Sequence, residues 1–384
     1  MNLLQIGPVG NRQAWDAKYL GAVGAEPHYR WRGRMQRLLW IGSPFFSDAL
    51  ASCGWDAVAR HNFEHAAVFG WHDLVRIAGF EPDVLVVADK SRAPFVLGVE
   101  DFPCLTVFYS VDSHIHSWQP YYAQAFDACL VSLRGHGSRF AGAHLPAERV
   151  WWSPAFAWAD DWPESGIARD TDCVFVGTVN ANLPLRAAFL ERVGAQLPGL
   201  RVVTGPYRQL YARARVVLNH CEHGDLNFRV FEAMGCGSCL VTPRIGHGLT
   251  DLFREGEHLR CYAADSSDSG LCASVDAAAD EAVAQVRHLL EHPDEADRMR
   301  RAALECIDNA HRAVHRAEAF SSRVRAVLAS DPHIVARRRS NAAEVRRQCL
   351  RLPYLHWAEE LRSTGLGEAY LAAARGEFGL PWQQ

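Results

Sequence analysis

Residues 226–262, LNFRVFEAMGCGSCLVTPRIGHGLTDLFREGEHLRCY, hold an arginine and a glutamate three positions apart in an otherwise apolar run. Read as a helix, the run makes Arg229 and Glu232 near neighbours on one face, with Asn227 and Phe228 at its start. It follows RVVLNH (215–220), which reads as a buried strand, so the helix N-terminus points into a cleft with free N–H groups and a positive dipole end. That terminus suits phosphate, the arginine suits a diphosphate, and the carboxylate can accept hydroxyl hydrogen bonds from a ribose. The plainer alternative is an intrahelical Arg–Glu pair on a solvated face. Phe228, Val230, Phe231, Ala233 and Met234 leave little such face.

A second constellation is YSVDSHIHSW, at the end of the apolar stretch 104–111. Asp112 follows the predicted strand directly and His114 and His116 alternate beyond it, so all three can face one cleft. A carboxylate or imidazole with a pKa near the working pH suits removal of a proton from a reacting hydroxyl. The alternative is an aspartate capping the next helix beside two surface histidines. His136, in LRGHGSR, reads as part of a loop.

Parallel α/β elements must position these groups. RLLWIG (37–42), DVLVVA (83–88), CLTVFYSV (104–111), ACLVS (128–132) and RVWW (149–152) read as buried strands, with amphipathic segments 70–79 and 119–126 between them. SPAFAWADDWPESGIARD (153–170) breaks the pattern and reads as a boundary. Strands at 173–178, 200–205, 215–220, 238–242 and 258–262 then alternate with helices at 182–196, 206–213, 226–235 and 248–253. Helices 276–291, 294–308 and 309–329 and a mostly helical tail follow. The pattern predicts two tandem doubly wound, Rossmann-like α/β domains facing a cleft, with C-terminal helices. The expected divisions are an acceptor-side domain over 1–157, a donor domain over 168–308, a helix crossing back over 309–330, and a tail extension over 331–384.

Composition narrows the function. The chain has 384 residues, enough for two cores. A net charge of −4 argues against a nucleic-acid binder. Of the 40 basic residues only Lys18 and Lys90 are lysine, which removes GxxxxGK[ST] phosphate loops and most Schiff-base chemistry. The sequence has no apolar run of membrane-spanning length and no signal-peptide pattern at its start. Its eleven cysteines are an odd, scattered set of the kind kept reduced in the cytoplasm. In the tail, Arg337, Arg338, Arg339, Arg346 and Arg347 form a basic face, read as simply solvated or as a contact for an anionic acceptor or membrane surface.

The stretch with FEAMGCG at its heart resembles the nucleotide-sugar-binding region of GT-B glycosyltransferases, in particular the spore-maturation-protein-like (CgeB-like) branch related to glycosyltransferase family four. DCVFVGTVNANLPLRAAFLERV resembles the start of that family's second domain, CLTVFYSVDSHIHSWQPYYAQAFDACLVS a segment of its first, and HRAVHRAEAF its closing helix. The resemblance spans roughly residues 36–330. It implies transfer of a hexose-type sugar from a nucleotide-diphosphate sugar to a hydroxyl on a glycan, surface polymer or protein, with no cofactor. In that reading Glu232 binds the ribose, and Arg229 with the N–H groups near Asn227 and Phe228 binds the diphosphate or sugar. Gly177 and Thr178 form a phosphate loop, Tyr207 lies near the base, and Gly246, His247 and Gly248 approach the sugar. Family-four retaining enzymes place a second glutamate eight residues before the ribose-binding one. Here that position is Gly224, with Glu222 and Asp225 out of register, so the stereochemical outcome stays open.

Other motifs are decoys. HNFEH (61–65) fits an H-x-x-E-H zinc pattern but lacks a third ligand, and HRAVH (311–315) lacks the glutamate. CGSC (236–239) straddles a predicted helix end and buried strand, where packing outweighs redox chemistry. No metal site is expected, and the diphosphate is left to arginine and backbone. A nucleotide-sugar epimerase and a non-catalytic binding protein on the same fold remain as rivals.

Overall fold

The computed structural model describes residues 36–262 and 274–377. The segment read as lacking a signal peptide, the first 35 residues of the expected acceptor-side domain and the last seven of the tail lie outside the described residues.

The first sheet contains β1 (Arg37–Gly42), β2 (Ala57–His61), β3 (Val84–Ala88), β4 (Leu105–Ser110), β5 (Ala128–Val131) and β6 (Val150–Trp152), all parallel, in the order β2-β1-β3-β4-β5-β6. Strands β3, β4 and β5 are buried throughout, as the interior of a sheet covered on both faces requires. Short helices α1 (Trp71–Ala78), α2 (Gln119–Ala123) and α3 (Gly137–Phe140) lie between strands.

The second sheet contains β7 (Thr171–Val176), β8 (Leu200–Val203), β9 (Ala214–Leu218), β10 (Cys239–Pro243) and β11 (Arg260–Tyr262), again parallel, in the order β11-β10-β9-β7-β8. Its crossovers are α4 (Pro184–Gln196), α5 (Tyr207–Arg213), α6 (Phe228–Gly235) and α7 (Leu249–Leu252). Strand order reverses between β1 and β3 in one sheet and between β7 and β9 in the other. Ligands of open parallel sheets bind outside the carboxyl ends of the strands at such points. The loops that leave β3, β7 and β9 carry the polar groups described below.

Helices α8 (Val275–Glu291) and α9 (Pro293–Ala310) pack on the second domain. The next, α10 (Ala313–Ser330), instead buries Ala317, Phe320, Val324 and Leu328 against Leu38, Trp40, Val86 and Tyr109 of the first sheet. The outgoing and returning crossings touch: Ala157 N–H donates to His311 O at 2.9 Å and Ala313 N–H to Ala157 O at 3.1 Å. Two hydrogen-bonded strands of chain thus form the joint between the domains.

The tail folds as α11 (Ile334–Ser340), α12 (Ala342–Val345), a π-turn (Arg346–Leu350), α13 (Arg351–Glu360) and α14 (Leu366–Arg375) over the other face of the first sheet. This corrects the expectation of one basic outer face. Arg338 is buried, donates to Thr106 Oγ1 at 2.8 Å and Cys104 O at 3.0 Å, and is ion-paired with buried Asp127; Arg346 donates to buried Glu100 at 2.8 Å. Helical spacing locates a charge but not whether it faces water or a neighbouring element. Arg338→Met removes the cation that offsets the burial of Asp127, so a loss of about 3–5 kcal/mol in denaturant unfolding is expected.

Candidate active site

The α6 segment begins where Gly224, at φ +70°, lets the chain reverse after β9, and extended Asn227 precedes the first turn. Buried Asn219 organises this corner. Its amide donates to Thr242 Oγ1 at 3.0 Å, and its carbonyl oxygen accepts from Arg229 Nη1 at 2.5 Å. Arg229 Nε also donates to Val176 O at 2.9 Å, and the guanidinium lies 5.0 Å over the Phe175 ring. Arginine is thereby fixed between the carboxyl ends of β7 and β9. A Cβ on Gly177 would stand 2.9 Å from Arg229 Nη2, so a glycine is needed for the guanidinium to reach the β7 loop. Thr178, next in that loop, is exposed and its carbonyl accepts from Arg186 at 2.9 Å.

Arg229 and Glu232 diverge and form no ion pair among the described residues. Glu232 Oε1 instead accepts the indole N–H of Trp158 at 3.1 Å. Burial raises its pKa to about 7, against the pull of Trp158, Arg229 and Arg208. The Phe228 side chain, at the helix start, is stacked between rings: Trp158 lies 5.3 Å away at 20° and Phe45 of the first domain 5.9 Å away at 7°. Tyr207 heads α5, and its hydroxyl donates to fully buried Asp161 at 2.8 Å. Arg208 Nε and Trp158 N–H saturate the same carboxylate at 2.7 and 2.8 Å.

Glu222, one of the out-of-register acids, accepts the N–H groups of Leu185 and Arg186 at 3.1 and 2.7 Å. It caps the start of α4, which removes it as a stand-in for the second glutamate.

On the facing side, Asp112, His114 and His116 are brought together. Asp112 does not cap α2, whose N-cap is Trp118 with no side-chain cap bond. Its carboxyl is held by Ser91, and Ser91 Oγ lies 3.0 Å from His116 Nε2. Burial and the nearby Asp89 charge push the Asp112 pKa up, while Ser91, His114 and His116 act against that. Asp89, at the carboxyl end of β3, accepts from the N–H groups of Asp112 at 2.8 Å and Val111 at 3.1 Å and from Gln119 Nε2 at 2.7 Å; its other oxygen accepts Ser91 N–H at 2.8 Å.

The two sides meet. The His114 and His223 rings are 5.8 Å apart, and His136 and His247 are 5.0 Å apart edge to face. His136, which reads from sequence as part of a loop, also lies 2.9 Å from Ser113 Oγ and is buried where the two domains touch. Arg134 is ion-paired with Asp251. In the turn after β10, Gly246 is open to solvent, His247 is buried at φ +57°, and Gly248 at φ +96° lies so close to Trp152 that a Cβ would meet the ring at 2.4 Å. That turn therefore abuts the end of β6.

The motifs in the sequence do not single out Asp89, Ser91, Trp158, Asp161 or Asn219. DKS directly follows a buried strand at a switch point, a usable signal for the first two. Trp158 and Asp161 sit in a stretch read only as a boundary, and nothing local marks them. Neither half of the zinc-like HNFEH is helical, since His61 ends β2 and His65 lies in a loop. Among the described residues no three His, Cys, Asp or Glu side chains are grouped to hold a metal ion.

Residues 174–322 match a family model described as glycosyl transferase-like. Of solved structures, HepE from Anabaena, crystallised with UDP and glucose, is similar at TM-score 0.55 and 12% identity, over 75% of this chain and 99% of that one. Sucrose-phosphate synthase from Thermosynechococcus elongatus is similar at TM-score 0.53 and 11% identity, over 77% of this chain and 100% of that one. The chain has the GT-B fold. A glycosyltransferase from Rickettsia africae shares that fold at TM-score 0.53 and 5% identity, over 76% of this chain and 99% of that one. No curated protein matches the chain. The family match includes Glu232 of the second domain and does not reach Asp112 of the first. No helix among the described residues is long and apolar enough to cross a membrane.

Proposed function

We propose that the protein transfers a hexose-type sugar from a nucleotide-diphosphate sugar to a hydroxyl on a glycan, surface polymer or protein, as a cytoplasmic enzyme of the CgeB-like branch related to family four. The observation that carries this is Glu232, a half-buried carboxylate held at a pKa near neutrality beside an arginine clamped at the carboxyl ends of β7 and β9. A carboxylate is retained in such a place when a ligand supplies its missing hydrogen bonds, and ribose hydroxyls are suited to do so.

In this reading Glu232 holds the ribose. Arg229, Gly177, Thr178 and the N–H groups near Asn227 and Phe228 at the start of α6 are assigned to the diphosphate. Tyr207 is assigned to the base side, and Gly246, His247 and Gly248 to the sugar. Displacement at the anomeric carbon releases the nucleotide diphosphate, whose growing negative charge is stabilised by the arginine and the α6 dipole. Asp112, flanked by Ser91, His114 and His116, receives the acceptor hydroxyl's proton if the reaction inverts, and positions the sugar if it retains. An anionic acceptor would meet Arg347, Arg351 and Arg375, which line a surface cleft of about 600 Å³ on the tail.

Because this reading gives the diphosphate to an arginine and backbone N–H groups, turnover is expected to persist in EDTA. Loss of activity in chelator with recovery on Mg²⁺ or Mn²⁺ overturns that. The function itself is tested by a thermal-shift screen of UDP, GDP, dTDP and CMP and their sugar conjugates, followed by sugar release with and without acceptor. Stabilisation by one nucleotide and acceptor-dependent consumption of its conjugate support transfer. Consumption without acceptor points to the epimerase, and binding without consumption to a binding protein.

A further inference from the structure

The donor carboxylate is not left to orient itself. Trp158 belongs to the interdomain linker, outside the stretch matched by the family model. Three contacts hold this residue, one at its backbone and two at its indole. Its backbone N–H is bonded to the buried Asp161 carboxylate at 2.8 Å, its face is stacked on Phe228 at 5.3 Å, and the Phe156 ring meets it edge-on at 5.2 Å. Asp161 in turn is bonded to Tyr207 and Arg208 of α5, so the linker turn is anchored to the second domain. The indole N–H then has one acceptor, Glu232 Oε1 at 3.1 Å. Among the described residues no donor reaches the other oxygen, Oε2. One edge of the carboxylate is thus occupied by protein and the other is available.

We propose that Trp158 is a positioning residue for Glu232: its indole N–H pins Oε1 and so presents Oε2 to the donor's ribose hydroxyls. This rests on reading Glu232 as the ribose-binding group. The stack Trp158–Phe228–Phe45 also runs from the linker across the cleft, so the residue that orients Glu232 is packed, through one ring, against the opposite domain. Phe45 holds its place with φ +38°, an uncommon backbone setting for a bulky side chain.

The charge environment makes this contact measurable. Glu232 is faced by Trp158 and Asp161 from the linker, by Tyr207, Arg208 and Tyr211 from α5, and by Arg229 and Cys236 from its own helix and cap. Burial dominates and drives the acid's pKa up, while the Trp158 bond is the largest influence in the other direction. Removing that one N–H therefore favours the protonated acid, a poorer acceptor for two hydroxyls.

Trp158→Phe keeps a ring for the stack and deletes the N–H. The probe is whichever of UDP, GDP, dTDP and CMP stabilises the wild type most, titrated calorimetrically from pH 6 to 9 on wild type, Trp158→Phe, Glu232→Gln and the double variant. Trp158→Phe is expected to bind about tenfold more weakly at pH 7 and within about twofold of wild type at pH 9, where Glu232 is ionised in both. In the Glu232→Gln background the pH-dependent part of the loss should vanish. A loss that is uniform across pH, or no loss, overturns the inference while Glu232 keeps its role. A Glu232→Gln protein that binds as the wild type does, or a wild type that binds none of the four, overturns the donor-site reading and this inference with it. Should Trp158→Phe fold poorly, the Trp158 indole ¹H–¹⁵N resonance of the wild type decides: movement with a midpoint near 7 supports the contact, and a pH-independent resonance overturns it.

Discussion

Asp112→Asn is expected, for an inverting reaction, to lower kcat by about 10²- to 10⁴-fold while leaving nucleotide affinity within about twofold, because general-base groups contribute at that scale. The amide keeps the volume of the carboxyl and can still accept from Ser91, so packing is conserved and the proton acceptor alone is lost. Asp112 is suited to the task by its surroundings. Partial burial and the neighbouring Asp89 charge raise its pKa, and Ser91 with two histidines limits the rise. In wild type, activity should increase with pH through that raised pKa, as the carboxylate forms. In Asp112→Asn the acid limb should flatten. Unchanged kcat in the variant would remove Asp112 from the chemistry and turn attention to His114 and His116. A large rise in the nucleotide's Kd would instead mean that the β4 loop shapes the donor site.

How much of this was written in the sequence depends on what each signal measures. Strands β3, β4 and β5 are apolar at almost every position because both sheet faces are covered, and such runs are visible without any partner. β2 lacks that signal because AVARH is an edge strand with four partly buried residues and an exposed arginine, so it carries no apolar run. Glu232 and Arg229 were legible as a pair because a charged couple inside an apolar helix needs a reason. Their separate fates were not, since the direction each side chain takes is set by Val176, Asn219 and Trp158, residues 10 to 74 positions away. The tail arginines show the same limit. Arg338 reads like its neighbours Arg337 and Arg339, yet it is the one whose turn of helix faces Asp127 across a separation of 211 residues. Composition marks a charge, and only the packing partner says whether it serves the fold or a ligand.

Glu232 provides a test in which function and stability move in opposite directions. Burial holds its pKa at about 7, against an ordinary glutamate value of 4.5. The folded state therefore holds its proton more tightly than the unfolded chain does. The sign follows: this group's contribution is fully present below about pH 4.5 and is lost as pH rises through 7, so ionised Glu232 destabilises the empty protein at pH 8. At about 1.4 kcal/mol for each tenfold in the acid constant, the cost is on the order of 3 kcal/mol. Glu232→Gln does not titrate and its amide oxygen can still accept the Trp158 N–H. It is expected to melt higher than wild type at pH 8, and the gap should shrink toward pH 5. The same change deletes charge-assisted bonds to the ribose hydroxyls, and Glu232→Ala deletes the acceptor altogether, so nucleotide affinity should fall about tenfold in the first and about 10²- to 10³-fold in the second. Unfolding curves over that pH range with nucleotide titrations on the three proteins decide the matter. If Glu232→Gln loses stability and keeps affinity, the carboxylate is a structural acceptor for Trp158. If it gains stability and loses affinity, the fold maintains an unfavourable buried charge for which a hydroxyl-bearing ligand is the compensating partner.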